Sequence, residues 1–351
     1  SRLKALVVSQ WGNYGLPPKQ SSFIMHATVV QHYLGGGYYP LGGSHHIFES
    51  IKNVILEKGG ACLTSHPVTE IIVEDGKAIG VRACAERDSG SPTKEFYADK
   101  IISDAGAYNT YLKLLPKVDI PFGGALKQFY KSHPAVGNVT LYLGLRESPT
   151  TLGFGGENHW IYSSYDHDAN FAASRARPQT GNDWFDENEL AGVYLSFPSL
   201  KNAHATAHTA EIIAFTDYTF FEKWKEEPWK KRAEEYKQLK EKISQKLIAF
   251  VNARYPGFAD LIEYRELSTP ISTEHFTDHP QGSIYGVPSV PDRFAAAKAP
   301  WCNPQSPVEN LYLTGADVSS PGVAGAMMGA VATLSHLPNG FKLLDLMRLQ
   351  P

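Results

Sequence analysis

Residues 310–331 read NLYLTGADVSSPGVAGAMMGAV, and no other stretch constrains the fold as tightly. A short apolar strand runs into Gly315 and Asp317, crosses a Ser-Ser-Pro turn and enters an uncharged helix spaced with glycines. Gly315 has no side chain, so other atoms can approach its backbone closely. Ser320 reads as the helix N-cap and Pro321 as the first helical residue, the position where proline costs least. Gly322, Gly325 and Gly329, mixed with alanines, keep the helix slim against its neighbours. The uncharged run from Val318 to Phe341 is interrupted by Ser, Thr, His, Gly and Pro. It falls short of a membrane span of roughly 20 apolar residues and reads as a buried helix.

This segment also has the chemistry of a binding site. The free N–H groups of Gly322 to Gly325 would point out of the helix start, with its partial positive charge. A phosphate, or the C2 carbonyl of a reduced flavin, would be stabilised there. Asp317 sits where a carboxylate could accept hydrogen bonds from sugar or ribitol hydroxyls. A capped core helix with small residues for tight packing accounts for the same pattern equally well.

The 351 residues suffice for one large domain or two ordinary ones. Apolar content of 42% and charged content of 20% are those of a folded chain rather than a disordered one. A net charge of −3 leaves no footprint for nucleic acid. Cys62, Cys84 and Cys302 are odd in number and widely spaced, which excludes a disulfide framework and speaks against structural zinc. A reducing or neutral compartment fits, and an intracellular chain is expected. Residue 1 opens inside SRLKALVVSQW, which reads as the middle of a helix, and no signal peptide is expected.

Along the chain, residues 1–34 look helical around a Gly-Pro-Pro turn, and GGGYYPLGGS (35–44) forms a hinge. Ser44 can cap a helix in which Ile47, Phe48, Ile51, Val54 and Ile55 recur at helical spacing, with Gly59 and Gly60 as its stop. Short strands follow, with a hairpin signal at Asp75-Gly76. From about 117 to 290, β-rich pieces alternate with helices, the best of them over 229–252 with Tyr236, Leu239, Ile243, Leu247 and Val251 on one face. The mixed-sign run at 223–242 reads as a solvated helix face. The final segment, 310–345, returns to strand and helix.

Other chemistry is sparse. No Gly-x-Gly-x-x-Gly follows a strand, and no phosphate loop ending in Gly-Lys-Ser/Thr is present. His204 and His208 have i,i+4 spacing but lack a third ligand and sit in a turn-like stretch, so no metal is expected. In GGACLTSHPVTEI, Val68 could lie at a sheet edge and offer its backbone to an adenine ring, although a routine α–β connection explains it as well. The strand KIISDAG (100–106), ending in glycine, is compatible with a cofactor and weak by itself.

Four stretches in unchanged order, NYGLPPKQSSFIMHATVVQHYLGGGYYPLGGS, GGACLTSHPVTEIIVEDGKAIGVRA, IISDAGAYNTYLKLLP and NLYLTGADVSSPGVAGAMMGAV, resemble retinol saturase-like proteins of the phytoene desaturase and carotenoid isomerase superfamily. The likeness runs from about Tyr14 to Leu337. It implies a mixed α/β, FAD/NAD(P)-binding-domain-like fold, incomplete at its N-terminus, with an inserted antiparallel-sheet substrate domain. The implied spans are 1–116 and 291–351 for the FAD-binding part and 117–290 for the substrate domain.

The resemblance further implies FAD as cofactor and a lipophilic polyene held against the isoalloxazine. Val68 resembles the adenine-contacting strand residue, and Gly315, Ala316 and Asp317 the turn at the ribityl-pyrophosphate. Val323 and Ala324 resemble the helix start beneath the flavin ring, and Gly42 and Gly43 the flavin-side turn. No residue is assigned the proton transfer. Leu41 stands where relatives often carry a basic residue, and Ala316 where saturases often carry a polar one. The family's first strand and glycine-rich loop precede the motif at Tyr14 and are not in this sequence. A longer protein, a processed form or a split one is therefore expected, with an N-terminal segment or subunit supplying that loop. Lipid-soluble substrates also leave room for peripheral membrane attachment.

Overall fold

The computed structural model describes residues 1–84, 92–175 and 190–338, together with Gly340 and Asp345. The tail of the segment expected to run to 345 lies largely outside the described residues.

Ahead of the first strand lie α1 (Arg2–Val8), α2 (Phe23–Tyr33) and α3 (His45–Glu57). Asp75 (φ 47°) and Gly76 (φ 79°) adopt the left-handed conformations that a two-residue hairpin demands. They join β1 (Val68–Glu74) to β2 (Lys77–Cys84), and β3 (Thr93–Tyr97) pairs with the far side of β2. The chain continues through β4 (Ile101–Ser103), α4 (Gly106–Leu112), α5 (Gly123–Ser132), β5 (Gly137–Leu145) and β6 (His159–Tyr162). Next come α6 (His167–Arg175), β7 (Gly192–Ser196), α7 (Pro198–Lys201), β8 (His208–Thr216) and α8 (Glu234–Asn252). Last are β9 (Ile262–Ser268), α9 (Pro270–Thr277), β10 (Leu311–Leu313) and α10 (Val323–His336).

These elements form two compact units. The first comprises residues 1–19, 26–61 and 136–284. Its five-stranded antiparallel sheet has the order β6-β7-β8-β5-β9. β8 alternates as the pleat requires: Ala210, Ile212, Ala214 and Thr216 are buried, while Thr209, Glu211, Ile213 and Phe215 lie on the other face. The buried face packs with Ile243, Leu247 and Val251 of α8 in one hydrophobic cluster. On the other face Trp11 stacks on Phe215 at 5.4 Å and on Tyr162 at 5.8 Å. The stripe expected on α3 forms, but none of its residues is buried, and Phe48, Ile51 and Val54 are more than half exposed. α8 starts at Glu234 rather than 229, because Lys230 takes a left-handed φ of 64° that a helix cannot propagate.

The second unit comprises residues 20–25, 62–135 and 285–351. It holds the β1-β2-β3 sheet and a parallel pair in which Leu311, Tyr312 and Leu313 face Ile101, Ile102 and Ser103. Bonds from Ala78 N to Glu309 O and from Glu309 N to Gly76 O tie the hairpin tip to the approach to β10. α5 buries Leu126 and Phe129, and Phe129 lies 5.1 Å from the buried Trp301.

The contact units differ from the spans 1–116, 117–290 and 291–351. Residues 26–61 group with the five-stranded sheet, and 117–135 with the parallel pair. Changes of composition mark where elements begin, whereas ring contacts such as Phe129–Trp301 join segments far apart in the chain.

Candidate functional site

β4 and β10 run parallel, and each ends in a carboxylate and a glycine: Asp104 with Gly106, and Gly315 with Asp317. The two turns interlock. A Cβ on Gly315, whose φ is 83°, would stand 1.7 Å from Asp104 Oδ1. One on Gly106 would stand 3.0 Å from Asp317 Oδ2. Asp317 is 5% exposed and accepts the Ala107 N–H at 2.8 Å and the Val287 N–H at 2.7 Å, one on each carboxylate oxygen. Its negative charge thus caps the start of α4 from another segment. Each oxygen retains a further lone pair.

Arg293 completes this knot. The buried guanidinium donates to the carbonyls of Val287 and Ala316, and to that of Ser319 at 3.3 Å, clamping the turn after β10 to the 287 segment. Sequence reading passed over Arg293, and Pro291 at the first position of its short helical turn was the only local signal. Burial, with Asp317 adding to it, holds the Tyr130 phenol well above its ordinary range. Burial also pushes the Cys302 thiol up to about 12, with Arg293 opposing and Asp317 adding.

α10 begins at Val323 with Gly322 as its cap residue, not at Pro321 with Ser320 as cap. Gly322 has φ 91°, open to glycine, while the Ser320 carbonyl is pressed against the helix: a Cβ on Gly325 would lie 1.9 Å from it. Gly329 passes equally close to the Gly315 carbonyl, and the Thr333 hydroxyl donates to Leu313 O at 2.6 Å. Only Gly325, Gly329 and Thr333 of α10 are buried, so the expectation of a wholly buried helix is corrected. The small side of the helix packs. The opposite side, with Val323, Ala324, Met327 and Met328, is exposed. No side chain caps the first amides, and nothing lies within 4 Å of a Cβ at Gly322.

The other expected residues sit as follows. Val68 opens β1, an edge strand, and is 40% exposed. Gly315, Ala316, Asp317, Val323, Ala324 and Val68 all belong to the second unit, whereas Gly42 and Gly43 belong to the first. Gly42 (φ 85°) and Gly43 (φ 91°) are left-handed turn residues, with open space beside Gly42.

No protein-family model matches the chain. Curated relatives do. An all-trans-retinol 13,14-reductase of Danio rerio is 34% identical over 343 residues, covering 96% of this chain and 55% of that protein. The Homo sapiens protein of the same name is 30% identical over the same shares. The prolycopene isomerase of Arabidopsis thaliana is 25% identical over 76% of this chain and 40% of its own length. The chain is a retinol saturase-like member of the phytoene desaturase and carotenoid isomerase superfamily. It spans about half the length of the curated relatives it matches. Among solved structures, an oxidoreductase from Methanosarcina mazei superposes with a TM-score of 0.57 at 15% identity, covering 93% of this chain and 63% of that one. The mixed α/β fold of this superfamily is therefore present. Among the described residues no helix is long and apolar enough to cross a membrane.

A second set of groups, in the first unit, escaped sequence reading. Glu211 on β8 faces Ser196 of β7 and Tyr142 of β5. The Lys201 ammonium donates to Ser196 Oγ at 2.6 Å and lies 5.9 Å from the Tyr39 ring. Burial raises the Glu211 pKa, with Lys201 opposing, and burial lowers that of Lys201. Alternation along β8 places Glu211 on one face, but nothing local reveals that this face is half covered. Because the folded-state pKa of Glu211 lies above its unfolded value of 4.5, its contribution to stability is full at acidic pH and lost as pH rises through the raised value. Glu211→Gln should therefore gain in melting temperature over the parent between acidic and neutral pH. Melts across that range check this, and a constant difference would count against it.

Proposed function

We propose that this chain is the cofactor-helix and substrate-sheet portion of an FAD-dependent oxidoreductase that reduces a carbon–carbon double bond of a polyene such as a retinoid or carotenoid. The reading is carried by the likeness to retinol reductases along 96% of the chain. The structure adds a helix start of the kind such a cofactor needs. The first amides of the helix, at Val323 and Ala324, have no side-chain cap, a Cβ at the preceding Gly322 would meet nothing within 4 Å, and the helix follows a parallel strand, where α/β sheets bind ligands. Gly315, Ala316 and Asp317 form the adjoining turn, and Asp317 has lone pairs left for hydroxyl donors. Val68 offers an edge-strand backbone, and Gly42 and Gly43 a left-handed turn with open space beside Gly42. The reading takes the pyrophosphate loop from a further segment or subunit.

A bound flavin supplies hydride chemistry. The chain's own groups bind and hold a proton. The part of the sheet face bearing Tyr194 and Ile213, beside the Phe215 position that Trp11 covers, suits an apolar chain. Glu211, on the same sheet face, is held towards its neutral form by burial and could hold a proton beside an apolar substrate. A lipid-soluble substrate makes attachment to a membrane surface part of the same reading.

The prolycopene isomerase relatives favour one second reading, isomerisation without net reduction. Mass spectrometry of a retinoid incubated with the flavin-loaded protein and a reductant separates the two. A gain of two hydrogens means reduction, and an unchanged mass with altered chromatographic retention means isomerisation. Val323→Asp, which sets a carboxylate at the helix start, should weaken FAD binding several-fold. A chain that stays colourless with FAD, both alone and when supplied with the glycine-rich half of a relative, would sink the proposal.

A further inference from the structure

We propose that the groove along the open edge of β9, between the start of α8 and α9, binds a phosphate ester carrying a flat or apolar group. It is independent of the flavin reading. The groove has a volume of about 620 Å³ and is lined by Lys230, Arg232, Lys237 and Lys240 against one carboxylate, Glu266. Arg232 decides the matter. It is 7% exposed and, among the described residues, its Nε has no partner and its only hydrogen bond is a long one, 3.4 Å, to the Tyr236 hydroxyl. No carboxylate among the described residues pairs with it.

A guanidinium buried without an anion is costly. Its planar fork matches two phosphate oxygens at once, which relieves that cost better than water does. The Lys240 ammonium lies 5.8 Å from the ring of Tyr236, and the Arg232 guanidinium 5.1 Å from the same ring. Both cations therefore converge on one side chain. Glu266 is engaged by the Tyr264 hydroxyl at 3.0 Å, and Lys237 pairs with Glu234 at 3.1 Å.

The remainder of the wall is aromatic. Trp229 lies parallel to His275 at 5.6 Å, with Phe276 edge-on at 5.0 Å. Trp229 is 39% and Phe276 62% exposed. This is a stacking surface next to an anion seat, and its ligand is a phosphate with a base or a hydrocarbon attached. The left-handed Lys230, which ends the helical run expected from the sequence, turns Trp229 and Arg232 into the same groove.

The shared chemistry has two sources, a soluble nucleotide or an anionic lipid headgroup. Titration calorimetry of the 351-residue chain with AMP and with inorganic phosphate addresses the first. Flotation with phosphatidylcholine vesicles, with and without phosphatidic acid, addresses the second. Saturable AMP binding that inorganic phosphate displaces, or capture by the phosphatidic acid vesicles alone, supports the site and names its source. Arg232→Gln should weaken binding by about tenfold or more. Trp229→Ala should weaken AMP and leave inorganic phosphate unchanged. If Arg232→Gln fails to fold, Lys240→Gln at the rim decides, with a smaller loss expected. The absence of saturable binding to any of the three probes, or parental affinity in both Arg232→Gln and Lys240→Gln, overturns the proposal.

Discussion

Asp317→Asn should lower the stability of the second unit by about 2–4 kcal/mol, read as a fall in the urea midpoint at unchanged slope. The carboxylate accepts two buried backbone amides, from Ala107 and Val287. An asparagine keeps one acceptor oxygen and turns its NH2 towards the other amide, so a buried N–H loses its partner. Asp317→Ala, which abandons both amides, should cost more. A near-neutral Asp317→Asn would mean that these bonds do not hold the two strand ends together. The substitution thus separates a structural role for this carboxylate from a purely ligand-binding one, which would alter flavin affinity and leave stability alone.

Gly329→Ala should destabilise by about 2 kcal/mol, although helix propensity on its own favours alanine by about 1 kcal/mol. The new Cβ would lie 2.1 Å from the Gly315 carbonyl oxygen and 2.9 Å from its nitrogen, both backbone atoms that cannot swing aside. Gly325→Ala meets the Ser320 carbonyl at 1.9 Å and should behave alike. Thermal melts of the two variants give the sign directly. A stabilising result would show that α10 can stand away from β10.

Much of the local structure was readable before any coordinates. The Asp75-Gly76 turn, the strand LYL and the apolar spacing of α8 are properties of neighbouring residues, and periodicity and turn chemistry report them. The glycines after β10 signalled close approach. Their partner turned out to be the protein's own backbone at Ser320 and Gly315, with open space left only at Gly322. Arg293, Glu211 and Arg232 were missed because what makes each one notable is the partial or complete loss of water around it. Segments distant in sequence remove that water.

By itself, the sequence determined the strand–turn–helix order, the hairpins, the amphipathic helices and the superfamily, since all of these are written in short-range patterns and in motif order. The tertiary structure alone decided which side of α10 is covered, that Asp317 spends a lone pair on each of two amides, and which charged groups are buried. Exposure and pairing are set by contacts between chain segments that the order of residues does not place side by side.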